Sequence, residues 1–159
     1  MLTTADQRGI YVATQPSPDD RLVMYQVVAA RHVGIDQMVW QVPGIALTAQ
    51  AFLMTIGLGP GSGQLARLGS GLLSVVVAFL SVELLMRHRL SAIADAVWLE
   101  RFERDQGWEV LHRPLNDRCG QLGVPVPRLA RLRAYSVWIA GLSTFGLVGA
   151  GIAVNALMG

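Results

Sequence analysis

The sequence has no lysine, one cysteine and three histidines. A lone Cys119 excludes an internal disulfide, and His32, His88, His112 and Cys119 show none of the paired spacing a structural zinc requires. Neither a His-Glu-x-x-His motif nor a nucleophile elbow occurs. No histidine lies within a long apolar segment, where it could act as base for a Ser or Thr nucleophile. The sequence therefore gives no ground to expect an enzyme, a metal or a cofactor. A nucleic-acid partner is equally unexpected, because the arginines stand beside apolar segments without an interleaved aromatic stacking platform. The use of arginine alone among the bases is a compositional trait of GC-rich coding rather than a functional sign.

Charge is scarce as well. Asp, Glu, Lys and Arg make up 15% of the chain, against roughly 25% in soluble domains, and mean hydropathy is +0.42. No charged residue stands between Asp36 and Arg67, and none between Ala134 and Gly159. Apolar runs of that length are explained most simply by lipid. Met1 to Pro16 is polar, includes Asp6 and lacks the apolar core of a secretory signal, so the first apolar segment is expected to remain as an anchor.

The expected fold is an all-α integral membrane protein, one membrane domain over 1–159 with three transmembrane helices. Ser17-Pro18-Asp19-Asp20 reads as a helix start, with a capping serine, proline at the first turn and acids at the positive dipole end. The helix over 17–37 is expected to run from the cytoplasm into a first span at 38–58, kinked at Pro43. Gly57-Leu58-Gly59-Pro60-Gly61-Ser62-Gly63 breaks it. No strand precedes this run and no Gly-Lys-Ser/Thr follows, so it is a turn between membrane helices rather than a phosphate loop. A second span follows at 65–86. Over 90–106, Leu90, Ile93, Ala94, Val97, Trp98 and Phe102 recur at helical spacing, with Asp95, Glu100, Glu103 and Arg104 mostly opposite. That amphipathic helix could lie on the membrane surface, on neighbouring subunits or on the protein's own helices. Residues 107–134 read as a cytoplasmic loop rich in Pro and Gly, and 135–157 as the third span.

Arginine placement sets the expected topology. One arginine, Arg67, lies in the hairpin connection, and the rest precede the first span or lie between Arg87 and Arg133. The positive-inside rule puts the N-terminus and the Arg87–Arg133 segment in the cytoplasm, with the glycine turn and C-terminus outside the cell membrane. Arg128, Arg131 and Arg133 serve as that topology signal, and each could attract anionic lipid by about 1 kcal/mol.

The most informative pattern is a stripe on the first long helix. Ala30, Gly34, Gln37, Gln41, Gly44, Thr48, Ala51 and Thr55 follow steps of three and four. Hydrocarbon does not favour such a face, because unpaired amides are costly there. It suits either close helix packing or a water-lined pore in an oligomer, with Gln41, Thr48 and Thr55 as successive rings. Small faces also mark the second span (Gly71, Ser74, Ala78, Ser81) and the third (Gly146, Gly149, Ala150, Ala153). So many packing faces on three short spans favour a homo-oligomer. Glu83, the only acid within an expected span, could form a cation-attracting ring or carry a proton. It also stands four residues before Arg87, the favourable order for a helical ion pair.

From Asp19 to Arg104 the layout is a cytoplasmic helix, a membrane hairpin with the Trp40-Gln41-Val42-Pro43-Gly44 approach and the Gly57–Gly63 turn, then an amphipathic helix. It resembles the two-helix membrane effector domains, including the SLATT type, of bacterial nucleotide-signalled antiphage systems. The resemblance implies an oligomeric pore that depolarises the cell once triggered. Gln41, Thr48 and Thr55 would line it, and the Arg-rich cytoplasmic segment would sense a signal or partner protein. The third span departs from that pattern, and no separate nucleotide-sensing domain is visible. The competing class is a small accessory subunit of a larger membrane complex. A small transporter, with Glu83 carrying a coupled proton, is a third.

Overall fold

A computed structural model describes residues 17–125 and 134–158. Their regular structure is entirely helical: α1 (Pro18–Gly57), α2 (Gln64–Asp105), α3 (Leu115–Gln121) and α4 (Ala134–Met158). Three of these, α1, α2 and α4, are long and apolar enough to cross a membrane. With 40 and 42 residues, α1 and α2 are each about 60 Å long, twice the roughly 30 Å of a hydrocarbon core. The 25 residues of α4 match that core once. The hairpin of α1 and α2 therefore has two halves. All charges of α1 lie before Gln37, and those of α2, Arg67 apart, lie from Glu83 onward. Helix α4 lies along the apolar half.

Local chemistry fixes the ends. The Ser17 hydroxyl accepts the Asp20 backbone N–H at 3.1 Å, and the Asp20 carboxylate accepts the Ser17 N–H at 3.1 Å, a reciprocal cap. Pro43 sits inside α1 with its ring buried, and the helix continues through it. At the other end of α2, Gly107 adopts φ 67°. Gly107 N–H then reaches the Arg104 carbonyl and Trp108 N–H the Glu103 carbonyl, which turns the chain back toward the hairpin. Gly123, at φ 65°, ends α3 in the same way.

Packing is centred on α2, which holds α1 on one side and α4 on the other. Ala46, Leu85 and Leu142 form the core, lined by Val39, Val82, Tyr135 and Trp138. Against α4 the helices touch through backbone. A Cβ on Gly71 would stand 2.6 Å from the Gly149 carbonyl oxygen, and one on Gly149 would stand 2.6 Å from Ser74 Cβ. The small faces of the second and third spans are therefore packed on each other, where van der Waals contact replaces the hydrophobic drive that lipid cannot supply.

Three features differ from the sequence reading. The segment 90–106 is not a separate helix, since α2 runs unbroken through it to Asp105. Its buried positions are Ala92, Asp95, Leu99, Phe102 and Glu103, so two of the acids point inward. Leu90, Ile93 and Val97 are instead exposed, at 66%, 44% and 39%. Within 107–134, residues 115–121 form α3 rather than loop, started after Pro114 with Asp117 in its first turn.

Candidate functional site

The outer face of α1 carries the stripe. At 3.6 residues per turn, Gln37, Gln41, Gly44, Thr48 and Thr55 lie about half a turn round the helix from Ala46. Ala46 and Gln50 are buried against α2, and all five stripe residues are exposed. Neither α2 nor α4 covers them. The Thr48 hydroxyl donates to the Gly44 carbonyl at 3.0 Å and that of Thr55 to the Ala51 carbonyl at 2.9 Å. The threonines are thus satisfied by their own helix. No side-chain hydrogen bond is made by Gln37 or Gln41 among the described residues.

The inward face is polar too, but paired. Gln50 Nε2 donates to the Ser74 carbonyl at 2.8 Å, and the Ser74 hydroxyl lies 2.5 Å from Gln50 Oε1. In the charged half, Arg31 Nε donates to Asp95 Oδ2 at 2.9 Å, and a second guanidinium nitrogen holds the other carboxylate oxygen. Further along, Glu103 is 1% exposed. It accepts the Tyr25 hydroxyl at 2.8 Å and the Leu111 and His112 backbone N–H groups at 2.8 and 3.2 Å, and it meets His112 Nδ1 at 2.5 Å. Tyr25 also packs edge-on to Trp108, 5.6 Å between ring centroids. Glu103 therefore fastens the segment after α2 onto the charged end of the hairpin. Burial by itself would raise its carboxyl, but these donors hold it below the usual range.

Burial, and then the hydrogen bond and charge of Glu103, push the Tyr25 phenol up to about 12. Stability from this group is complete below about 10, the free phenol value, and is lost as pH rises through its raised folded value. Phenolate absorbance in a Tyr11→Phe, Tyr135→Phe background should titrate well above a free tyrosine. Adding Glu103→Gln should bring the midpoint down part of the way, leaving the share due to burial.

Glu83 pairs with Arg87 at 2.5 Å across one helical turn, with 44% of its side chain exposed. The ion-pair geometry is therefore present, and Glu83 does not face the stripe on α1. Arg128, Arg131 and Arg133 lie outside the described residues. Asn155 is exposed and lines a shallow cleft with Ser62, Gln64 and Arg67 at the turn end. Among the described residues no His, Cys, Asp or Glu cluster could hold a metal.

Residues that sequence reasoning missed are Arg31, Asp95, Tyr25 and His112. Their one sequence signal was the 3–4 spacing of Asp95 with Leu99 and Phe102, which places that acid on a packing face. Comparison with known family models, curated proteins and solved structures finds no match.

Proposed function

We propose that the protein is a homo-oligomeric channel of the cell membrane, in which the apolar half of each α1 turns its outer stripe toward a shared, water-lined axis. One observation carries this reading: Gln41 projects from the face of α1 that neither α2 nor α4 covers, within the run that has no charge. An amide without a partner costs several kcal/mol in hydrocarbon. Thr48 and Thr55 could tolerate lipid, being bonded to their own backbone, so Gln41 decides the matter. Water or the same face of other copies would satisfy it.

In this reading the charged half of the hairpin and the Arg-rich segment stand in the cytoplasm, by the positive-inside rule. The likeness to two-helix SLATT-type effectors fits this arrangement and assigns the cytoplasmic end the task of receiving a signal or partner. An accessory subunit packed in a larger complex is the rival, since a host helix could also cover the stripe.

Native mass spectrometry of the detergent-solubilised protein, followed by ion flux in proteoliposomes, separates the two. A closed ring with flux is expected. Gln41→Leu with Thr48→Val should lower flux about tenfold, equivalent to about 1.4 kcal/mol in barrier, while the ring mass stays unchanged. A monomer without flux would sink the channel.

A further inference from the structure

The stripe does not stop where the charges begin. Stepping back from Gln37 by three and four gives Gly34, Ala30, Val27 and Val23, so one seven-residue repeat runs from Val23 to Thr55. All its positions lie on the same side of α1, away from α2, and Val23 and Val27 are 57% and 62% exposed. Their half of the helix carries Asp19, Asp20, Arg21, Arg31 and Asp36, the charges that keep it in water. The same side thus shows Val23 and Val27 where its surroundings are aqueous and Gln41 where they are hydrocarbon. Polarity is inverted at both levels, so neither solvent suits the whole face.

Resting on the channel reading, we infer that copies of this chain assemble through a parallel seam along this face of α1, from Val23 to Thr55. A second copy inserted with the same topology presents the same layers at the same depth. Valine then meets valine in the charged half, and Gln41 meets Gln41 in the apolar half. Each amide can donate to its neighbour round the ring and leave its remaining groups to the water of the axis. An antiparallel helix would set Val23 against Thr55 and lose both matches. Ala30, Gly34 and Gly44 let the backbones approach. A strict period of 3.5 over this length winds helices into a left-handed supercoil, and a polar residue at a seam position fixes register.

The rival surface is the outer stripe of α2. Leu90, Ile93 and Val97 are exposed there, and earlier on α2 the outward residues are Leu72, Val76, Phe79 and Leu80, followed by Glu83, whose charge is already met by Arg87 on its own helix. Lipid suits that part unaided, so α2 lacks the inversion that calls for a matching copy. In the ring the valine layers narrow the axis at the charged end, while the Gln41 and Thr48 layers stay hydrated.

Single cysteines in a Cys119→Ser background test the seam. Val27→Cys, Gln41→Cys and Thr48→Cys in native membranes, treated with a short bismaleimide, should give several-fold more cross-linked dimer than Asp36→Cys or Ile93→Cys. Val27→Asp should dissociate the ring in detergent, and Ile93→Asp should leave its mass unchanged. Cross-linking at Asp36 or Ile93 equal to that at Val27 would overturn the seam, as would a ring that survives Val27→Asp. In either case an intact ring mass would leave the channel reading standing. A monomeric wild-type mass would remove both.

Discussion

Gly149→Leu should separate α4 from the hairpin and lower the thermal unfolding midpoint more than any other single change on that helix. A Cβ there would meet Ser74 Oγ at 2.5 Å, Ser74 Cβ at 2.6 Å and the Gly71 carbonyl oxygen at 2.9 Å. On the facing helix, Gly71 has the same tight approach to backbone atoms of Gly149 and Ala153, 2.6 and 2.8 Å. Backbone cannot rotate out of the way as a side-chain tip can, so the helices themselves must part. Overpacking of this kind costs about 1–3 kcal/mol even when neighbours adjust. Leucine demands more room than a single Cβ, which puts this case at the upper end. Gly151→Leu is the control, two residues along the same helix. Nothing lies within 4 Å of its Cβ position, so its effect should stay within about 0.5 kcal/mol. Equal midpoints for the two variants in detergent would refute the backbone contact between α2 and α4.

Glu103→Ala should release the segment after α2. The carboxylate serves the Tyr25 hydroxyl, the His112 ring and two backbone N–H groups, and its removal leaves all of them without an acceptor. Taking one member from such a buried set costs about 3 kcal/mol. Trypsin should then cut at Arg118 at least tenfold faster, while Arg87 and Arg89, beside the core residue Leu85, remain protected. Unchanged cleavage would show that the segment is held by the packing of Trp108 on Tyr25 and Phe102 instead. Acid should act in the same direction. Because the folded carboxyl lies below its ordinary value, its contribution is present above that ordinary value and is lost as pH falls through the lowered one. Fluorescence of Trp108, beside Tyr25, should report an acid transition that is absent in Glu103→Gln.

Much of this architecture was legible from local pattern. Two uncharged runs gave the first and third spans, the apolar stretch between Arg67 and Glu83 gave the second, and Ser17 with Asp20 gave the start of α1. The glycine and serine positions on α2 and α4 marked faces that do pack together, because close approach needs small residues in sequence as well as in space. The inward turn of Glu103 was not legible, and that of Asp95 showed only in its 3–4 spacing with Leu99 and Phe102. A period-based reading assigns acids to the wet side. These two are stabilised by Arg31 and Tyr25, 64 and 78 residues away in the chain, outside any window. The unbroken course of α2 was readable in principle, since no Gly or Pro stands between Gly71 and Gly107. The arginine cluster at its middle suggested an ending, but a cluster of charge marks a change of surroundings and not a change of backbone. The stripe on α1 was readable as a periodic set, whereas its exposure became visible only once α2 had claimed the opposite face.

Gln50 also bears on insertion into the bilayer. Its amide is satisfied by Ser74, 24 residues later, so α1 alone would bring an unpaired group into lipid as it left the ribosome. Pairing with Ser74 therefore favours integration of α1 and α2 together, as one hairpin. Helix α4, arriving last, adds its glycine side, the core residue Leu142, and carbonyls of Phe145 and Ala156 that accept from Ser74 and Gln64.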